Sequence, residues 1–237
     1  MNKVKLHTLW LLGMLFLMTA CGDDDDYYYP SVKLEFVTVK AGADGLIQSL
    51  LPDKGELLTV AKDRTGSTIS PNSARRVISN YEVNPEDATA VIYSLQSVVA
   101  PEPKGAGDPA FEGGLKYDPV DVTSIWLGRD YLNMILNVKI NINSGKQHVF
   151  GMIEESVEAE GDETVVTLSL FHDANGDEEN YNRRAYISVP LTKYVDEENP
   201  HQTIRIKFKY HTTDKNGVVV ESSKYCDPGF EYVPGVN

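Results

Sequence analysis

The sequence is poor in cysteine, in basic clusters and in long apolar runs, and each shortage excludes a class of protein. Cys21 and Cys226 are the only thiols in 237 residues, so the chain is no disulfide scaffold. Lys and Arg number 22 against 35 Asp and Glu, a net charge of -13. The only adjacent basic residues are Arg75-Arg76 and Arg183-Arg184, and neither pair extends into a longer patch. Polyanion binding rests on clustered cations that release counterions, so no nucleic-acid partner is expected. Gly-x-Ser-x-Gly, His-Glu-x-x-His and a Ser-x-x-Lys opening a helix are all missing, and no Cys has a partner His. Helical stripes are missing too, which turns attention to strands.

The N-terminus is organised for export. Lys3, Lys5 and His7 form a basic tip, Leu6 to Met18 an apolar core, and Thr19-Ala20 the small residues before Cys21, so residues 1–20 read as a signal peptide. That core is too short to cross a bilayer, which takes about twenty apolar residues. Leu17-Met18-Thr19-Ala20-Cys21 resembles a bacterial lipobox, with Met18 where leucine is usual. The resemblance implies a lipidated Cys21 and a membrane partner reached through acyl chains, each buried methylene adding about 0.8 kcal/mol. Asp23, Asp24, Asp25 and Asp26 look like the surface-export signal of Bacteroidota lipoproteins, and with Tyr27, Tyr28 and Tyr29 complete a tether over 21–30. Four adjacent carboxylates also repel one another and keep a tether extended. The expected address is the outer membrane, facing outward, with a periplasm-facing anchor as the alternative. Cleavage removes Lys3 and Lys5, taking the charge from -13 to -15, and leaves Cys226 as a structural or incidental thiol.

Beyond the tether, apolar residues recur at period two between Gly, Pro, Asn and Asp, the pattern of an all-β chain. The spacing predicts strands at 32–36, 56–61, 76–83 and 89–98, enough for one small barrel over 31–104. The prolines and glycines between Ala100 and Gly114 are expected not to continue a strand, and 105–114 is read as a linker. About seven further strands, at 122–127, 131–142, 147–153, 164–171, 184–189, 203–210 and 218–223, predict a sandwich over 115–237. Asn143-Ser144-Gly145-Lys146 and Lys215-Asn216-Gly217 are expected to be hairpin turns.

Gly55 to Val60, Arg75 to Tyr81, Ser124 to Leu127 with Asp130 to Met134, and Lys146 to Phe150, in that order after a lipobox, resemble the NigD-like lipoproteins of Bacteroides and Prevotella. The resemblance implies an OB-type barrel followed by an immunoglobulin-like sandwich. Its bacteriocin-associated operon implies a role in immunity or protection, and it carries no catalytic residues across.

His172 to Asn180 places oxygen donors at alternate positions, so Asp173, Asn175, Asp177 and Glu179 are weak calcium candidates. The spacing does not fit an EF-hand, because counted from Asp173 the fourth residue is Gly176 and the twelfth is Arg184. A solvated hairpin loop is the expectation. His148, His172, His201 and His211 fall in separate segments and read as surface or packed residues. Trp126 reads as sandwich core; Trp126 with Tyr131, and Tyr225, Phe230 and Tyr232, are the aromatic groups that could also meet a glycan or protein ligand. No cofactor or catalytic residue is indicated. The expectation is a non-enzymatic lipoprotein that binds a glycan or protein, with immunity and a carboxylate-dependent hydrolase as alternatives.

Overall fold

The computed structural model describes residues 31–161, 163–177 and 181–235, so Cys21, the acidic run Asp23 to Asp26, the tyrosine triplet and Glu179 lie outside the described residues. The first half is a closed barrel of five strands: β1 (Val32–Ala41), β2 (Ile47–Pro52), β3 (Leu58–Asp63), β4 (Ala74–Asn84) and β5 (Thr89–Ser97), in the order β1-β2-β3-β5-β4. Val37, Val39, Leu50, Val77, Tyr81 and Ile92 fill it from alternate positions. The neighbouring positions Phe36 and Ile78 are buried as well, outside the barrel. A strand apolar on consecutive residues has two covered faces, and here the second faces the sandwich.

The second half stacks two sheets. One has the order β13-β12-β10-β9-β6 and the other β11-β8-β7. The strands are β6 (Pro103–Gly105), β7 (Asp121–Gly128), β8 (Tyr131–Ile140), β9 (Val149–Glu160), β10 (Glu163–Asp173), β11 (Tyr181–Pro190), β12 (Ile204–Thr213) and β13 (Val219–Tyr232). Ile204, Ile206, Phe208 and Tyr210 of β12 meet Leu132, Met134, Leu136 and Val138 of β8 in the core. Each such side chain contributes about 1.5–3 kcal/mol by leaving water. On the outer face of β12, Arg205 grips Glu163 with two hydrogen bonds of 2.8 and 2.9 Å, and Lys209 reaches Glu155 at 2.8 Å. The alternation of β12 is as the sequence implied.

The structure departs from the sequence reading in five places. β2 was not anticipated; it closes the barrel between β1 and β3. The barrel's last strand ends at Ser97, and Pro103–Gly105, at the edge of the expected linker, pairs in parallel with β9. Proline is tolerated there because β6 is an edge strand and Pro103 its first residue, where a missing N–H costs no ladder bond. Phe111, within 105–114, is buried against Phe171 at 5.1 Å between ring centroids. The turn at Asn143 to Lys146 is no hairpin: β8 and β9 belong to different sheets, so the chain crosses from one to the other. The connection from Asp173 to Tyr181 likewise links β10 and β11 across the sandwich. Turn chemistry specifies a chain reversal but not which strand the departing segment will pair with. The Lys215-Asn216-Gly217 turn does join a hairpin, β12 to β13, with Gly217 at φ +81°.

Candidate functional site: the cleft at the barrel–sandwich junction

The junction is built by the outward positions of β1 and β4. Arg76, two residues before Ile78 on the same face of β4, is 5 % exposed and reaches across to the sandwich. Its guanidinium donates to Asp53 at 2.5 Å, to Asn133 Oδ1 at 3.1 Å and to Ser188 Oγ at 2.9 Å. Asn133 Nδ2 donates to the other Asp53 oxygen at 2.7 Å, and Ser188 donates to Asn133 Oδ1 at 2.6 Å. The ring of Tyr131 lies 4.2 Å from the guanidinium carbon, an attractive cation–π contact. Two barrel residues and two fully buried sandwich residues thus satisfy one another, which fixes how the halves meet.

Gly128 shows how tight this packing is. A β-carbon there would sit 2.1 Å from Asp53 Oδ2 and 2.5 Å from Asn133 Nδ2. Gly128→Ala is expected to push Asp53 and Asn133 apart and cost about 2–3 kcal/mol, in the upper range for overpacking. Chemical denaturation checks this, and a loss under about 0.5 kcal/mol, the range of an ordinary surface substitution, would contradict the close approach.

Beside the network, Phe36, Ile78 and Val98 of the barrel side pack against Trp126, Ile135 and Tyr186. Phe36 and Trp126 meet edge to face, 5.3 Å between centroids at 83°. Trp126 is therefore a junction residue and not sandwich core: Ile125 and Leu127 turn into the sandwich, which leaves Trp126 on the barrel side. The other C-terminal aromatics are drawn inward, Tyr225 and Phe230 against the sandwich core and Tyr232 fully buried with its hydroxyl donating to Asp130 at 2.8 Å. Cys226 is half-buried with its sulfur 3.5 Å from the Phe208 carbonyl, and burial raises its thiol above the ordinary range, which suits a packed residue.

Two grooves open on this junction. One, of 400 Å³, runs past Leu34, Phe36 and Trp126; the other, of 820 Å³, runs past Lys146, His148 and Arg183. Gln96, Arg184 and Tyr186 line both, so the two make one cleft with an aromatic end and a polar end.

At the polar end the fold assembles what the sequence left scattered. His148 Nδ1 lies 2.9 Å from His172 Nε2, His172 Nδ1 lies 2.9 Å from the Asp118 carbonyl, and His148 Nε2 lies 3.4 Å from Asp177 Oδ2. The tautomers follow from the partners. A carbonyl only accepts, so His172 carries its proton on Nδ1, and its Nε2 accepts from His148 Nδ1–H. The Ser144 hydroxyl, with the Asn141 amide and His148, holds the Asp177 carboxyl below the usual range. Asp177 also accepts from the Asn141 N–H at 3.0 Å, and Lys146 donates to the Gly176 carbonyl. The two chain crossings between sheets are thereby tied together, forming one wall of the cleft. No signal short of the fold pairs His148 with His172, because their alignment depends on the β9–β10 register, where His172 lies opposite Phe150.

The described calcium candidates, Asp173, Asn175 and Asp177, do not converge. Asp173 is occupied capping the Asn175 N–H at 2.7 Å, while Asp177 points inward to His148. Among the described residues no group of three acidic, His or Cys side chains could hold a metal ion. His201 and His211 stand apart from the pair, His211 against the Tyr117 ring at 4.5 Å.

Burial lowers the pKa of His172, so its neutral form belongs to the folded state. The unfolded chain takes up that proton near the ordinary 6.5, so the folded protein binds fewer protons below it. Stability is therefore full above pH 6.5 and declines as pH falls toward the depressed value. The slope approaches roughly 1.4 kcal/mol per pH unit. Thermal unfolding between pH 7.5 and 5 tests this against His172→Asn, which should flatten the decline; equal slopes would reject the assignment.

Comparisons with known proteins match this architecture half by half. A family model described as the NigD-like N-terminal OB domain matches residues 36–98, and one described as the NigD-like C-terminal beta sandwich domain matches residues 105–222. A crystal structure of a NigD-like immunity protein from Bacteroides caccae is 69% identical, covers 88% of this chain and 100% of that one, and superposes with a TM-score of 0.78. The chain belongs to the NigD-like family. The same fold recurs in a putative toxin-related protein from Parabacteroides distasonis, 17% identical over 83% of this chain and 96% of that one with a TM-score of 0.63. It recurs again in a putative lipoprotein from Bacteroides fragilis, 11% identical over 87% and 100% of the two chains with a TM-score of 0.57. No curated protein matches. The NigD-like models meet this chain on either side of residues 99–104, the stretch in which Val99 already bridges to Ile187 of the sandwich.

Proposed function

We propose that this chain is an immunity lipoprotein: anchored through Cys21 in the outer membrane, it binds a secreted bacterial protein toxin at the junction cleft and blocks it without catalysis. The observation that carries this reading is the 69% identity to the Bacteroides caccae NigD-like immunity protein along that protein's whole length. Identity of that extent spans both halves and the junction, so a shared cleft is expected. The chemistry of the cleft agrees with binding. Asp177, the one carboxylate lining the polar end among the described residues, is occupied by His148 and Asn141, and among those residues no hydroxyl or thiol hydrogen-bonds to either imidazole of the pair. A lipid anchor ahead of an acidic tether holds such a binder where an incoming toxin must pass.

The test is a deletion strain and its complemented parent, exposed to culture supernatants of toxin-producing relatives. Loss of the gene is expected to sensitise the cells and re-expression to restore growth; equal growth in every supernatant would refute the immunity reading. The location is checked separately by treating intact cells with an external protease. Digestion alongside an intact periplasmic control supports outward display, and protection argues for the periplasm-facing anchor.

A further inference from the structure

We infer that the open edge of β11 at the cleft takes up an extended acidic segment of the toxin polypeptide as an added strand. This rests on the immunity reading for the partner's identity, while the surface itself is argued from the sheet. β11 is an edge strand of its sheet. Its C-terminal half is already covered: Val99 donates to the Tyr186 carbonyl and accepts from the Ser188 N–H, both at 2.9 Å, as a parallel bridge at Ile187. Residues 186 and 188 therefore point their backbone groups away from β8. Alternation along an antiparallel strand directs the N–H and C=O of Arg184 and Asn182 the same way. No described residue bonds to them, and the 820 Å³ groove lies alongside. A competent ladder thus stops after one bridge because β5 turns away, and the vacant continuation is cleft.

The charge at this edge says what fits. Among the described residues lining the groove, Lys146, Arg183 and Arg184 are basic and Asp177 alone is acidic, in a protein where acids outnumber bases 35 to 22. The other arginines have local partners: Arg76 with Asp53, Arg205 with Glu163, Arg129 with the Pro52 carbonyl, Arg75 with Ser97 and Arg64 over the Tyr93 ring. Arg183 and Arg184 are exposed and have no partner among the described residues. They fall on opposite faces, Arg184 on the junction side with Tyr186 and Ser188, and Arg183 on the side of Ala185 and Ile187. An added strand would therefore meet one cation from each face, and acidic residues on both faces of it would be neutralised as cross-strand pairs. The overall negative charge repels at long range but is screened beyond about 8 Å in physiological salt, so contact pairs decide. Arginine on an edge can also serve only to prevent sheet-to-sheet aggregation.

Fluorescence anisotropy with the full folded domain, residues 31–237, and a short labelled peptide repeating Glu-Glu-Val-Val, which sets glutamates on both faces of a strand, separates these roles. The peptide is expected to bind, and its lysine–valine counterpart roughly ten-fold more weakly, since two exposed ion pairs become repulsive. Arg183→Glu/Arg184→Glu should weaken the acidic peptide by about the same factor with an unchanged unfolding midpoint. Methylating alternate peptide nitrogens should also abolish binding, because the ladder bonds are lost. Equal binding of both peptides, or none at all, would overturn the proposal. So would a concentration-dependent dimer that the double variant dissolves, which would give the edge to a second copy of this chain. If the peptide binds as expected but the double variant still protects cells from toxin, the acidic-strand assignment for the toxin fails while the immunity reading stands; if deletion causes no sensitivity, the immunity reading fails and the peptide site remains.

Discussion

Arg76→Met is expected to lower the unfolding free energy by about 3–5 kcal/mol, the loss that follows when one member of a buried ion pair is removed. The cost arises less from the lost attraction than from what is stranded. Asp53, 9 % exposed, would keep a single side-chain donor, Asn133, and Ser188 and Asn133 Oδ1 would each lose the guanidinium. Removing the carboxylate as well, in Arg76→Met/Asp53→Leu, should return much of the loss, because an apolar pair of similar volume needs no solvation. Guanidinium denaturation of the single and double variants measures both. A double variant no more stable than Arg76→Met would mean that the geometry, and not the stranded charge, dominates. Since the network spans the junction, the single variant should also split one cooperative transition into separate barrel and sandwich steps.

Phe36→Ala should cost about 3 kcal/mol, the lower end for a large aromatic truncation, because the adjoining groove lets the site relax. The readout is built in. In the fragment 31–237, which lacks Trp10, Trp126 is the single tryptophan, and it meets Phe36 edge to face. The variant should shift tryptophan emission to longer wavelength before denaturation begins, as water reaches the ring. Unchanged emission with a full stability loss would place Trp126 in the sandwich after all.

How much of this was legible depends on whether a signal is local. β12 could be read from its own residues, since Ile204, Ile206, Phe208 and Tyr210 alternate with cations that stay in water. Both halves of the all-β architecture followed from such runs, and the family resemblance named them correctly. Pairing was less accessible: the Asn143 to Lys146 turn has the residues of a hairpin, yet β8 and β9 part to different sheets. Trp126 was misassigned because alternation tells which residues share a face but not what covers that face. The site was the least legible. In the sequence Arg76 is half of an isolated basic pair, and the residues that close around it, Asp53, Asn133 and Ser188, lie 23, 57 and 112 residues away. His148 and His172 likewise need the β9–β10 register, and Asp177 meets His148 only through the crossing whose residues read as a solvated loop.

The central claim is that the cleft is the working surface of an immunity protein, and filling it tests that most directly. Gln96 is exposed and lines both grooves, so Gln96→Trp should occlude the cleft without disturbing either core. Lys215→Trp, in the β12–β13 turn, adds the same bulk where neither groove passes. Each variant, shown to be folded and exported at wild-type level, is returned to the deletion strain and the cells are challenged with toxin. The account predicts that Lys215→Trp protects as the wild type does and Gln96→Trp does not. Full protection by Gln96→Trp would contradict it.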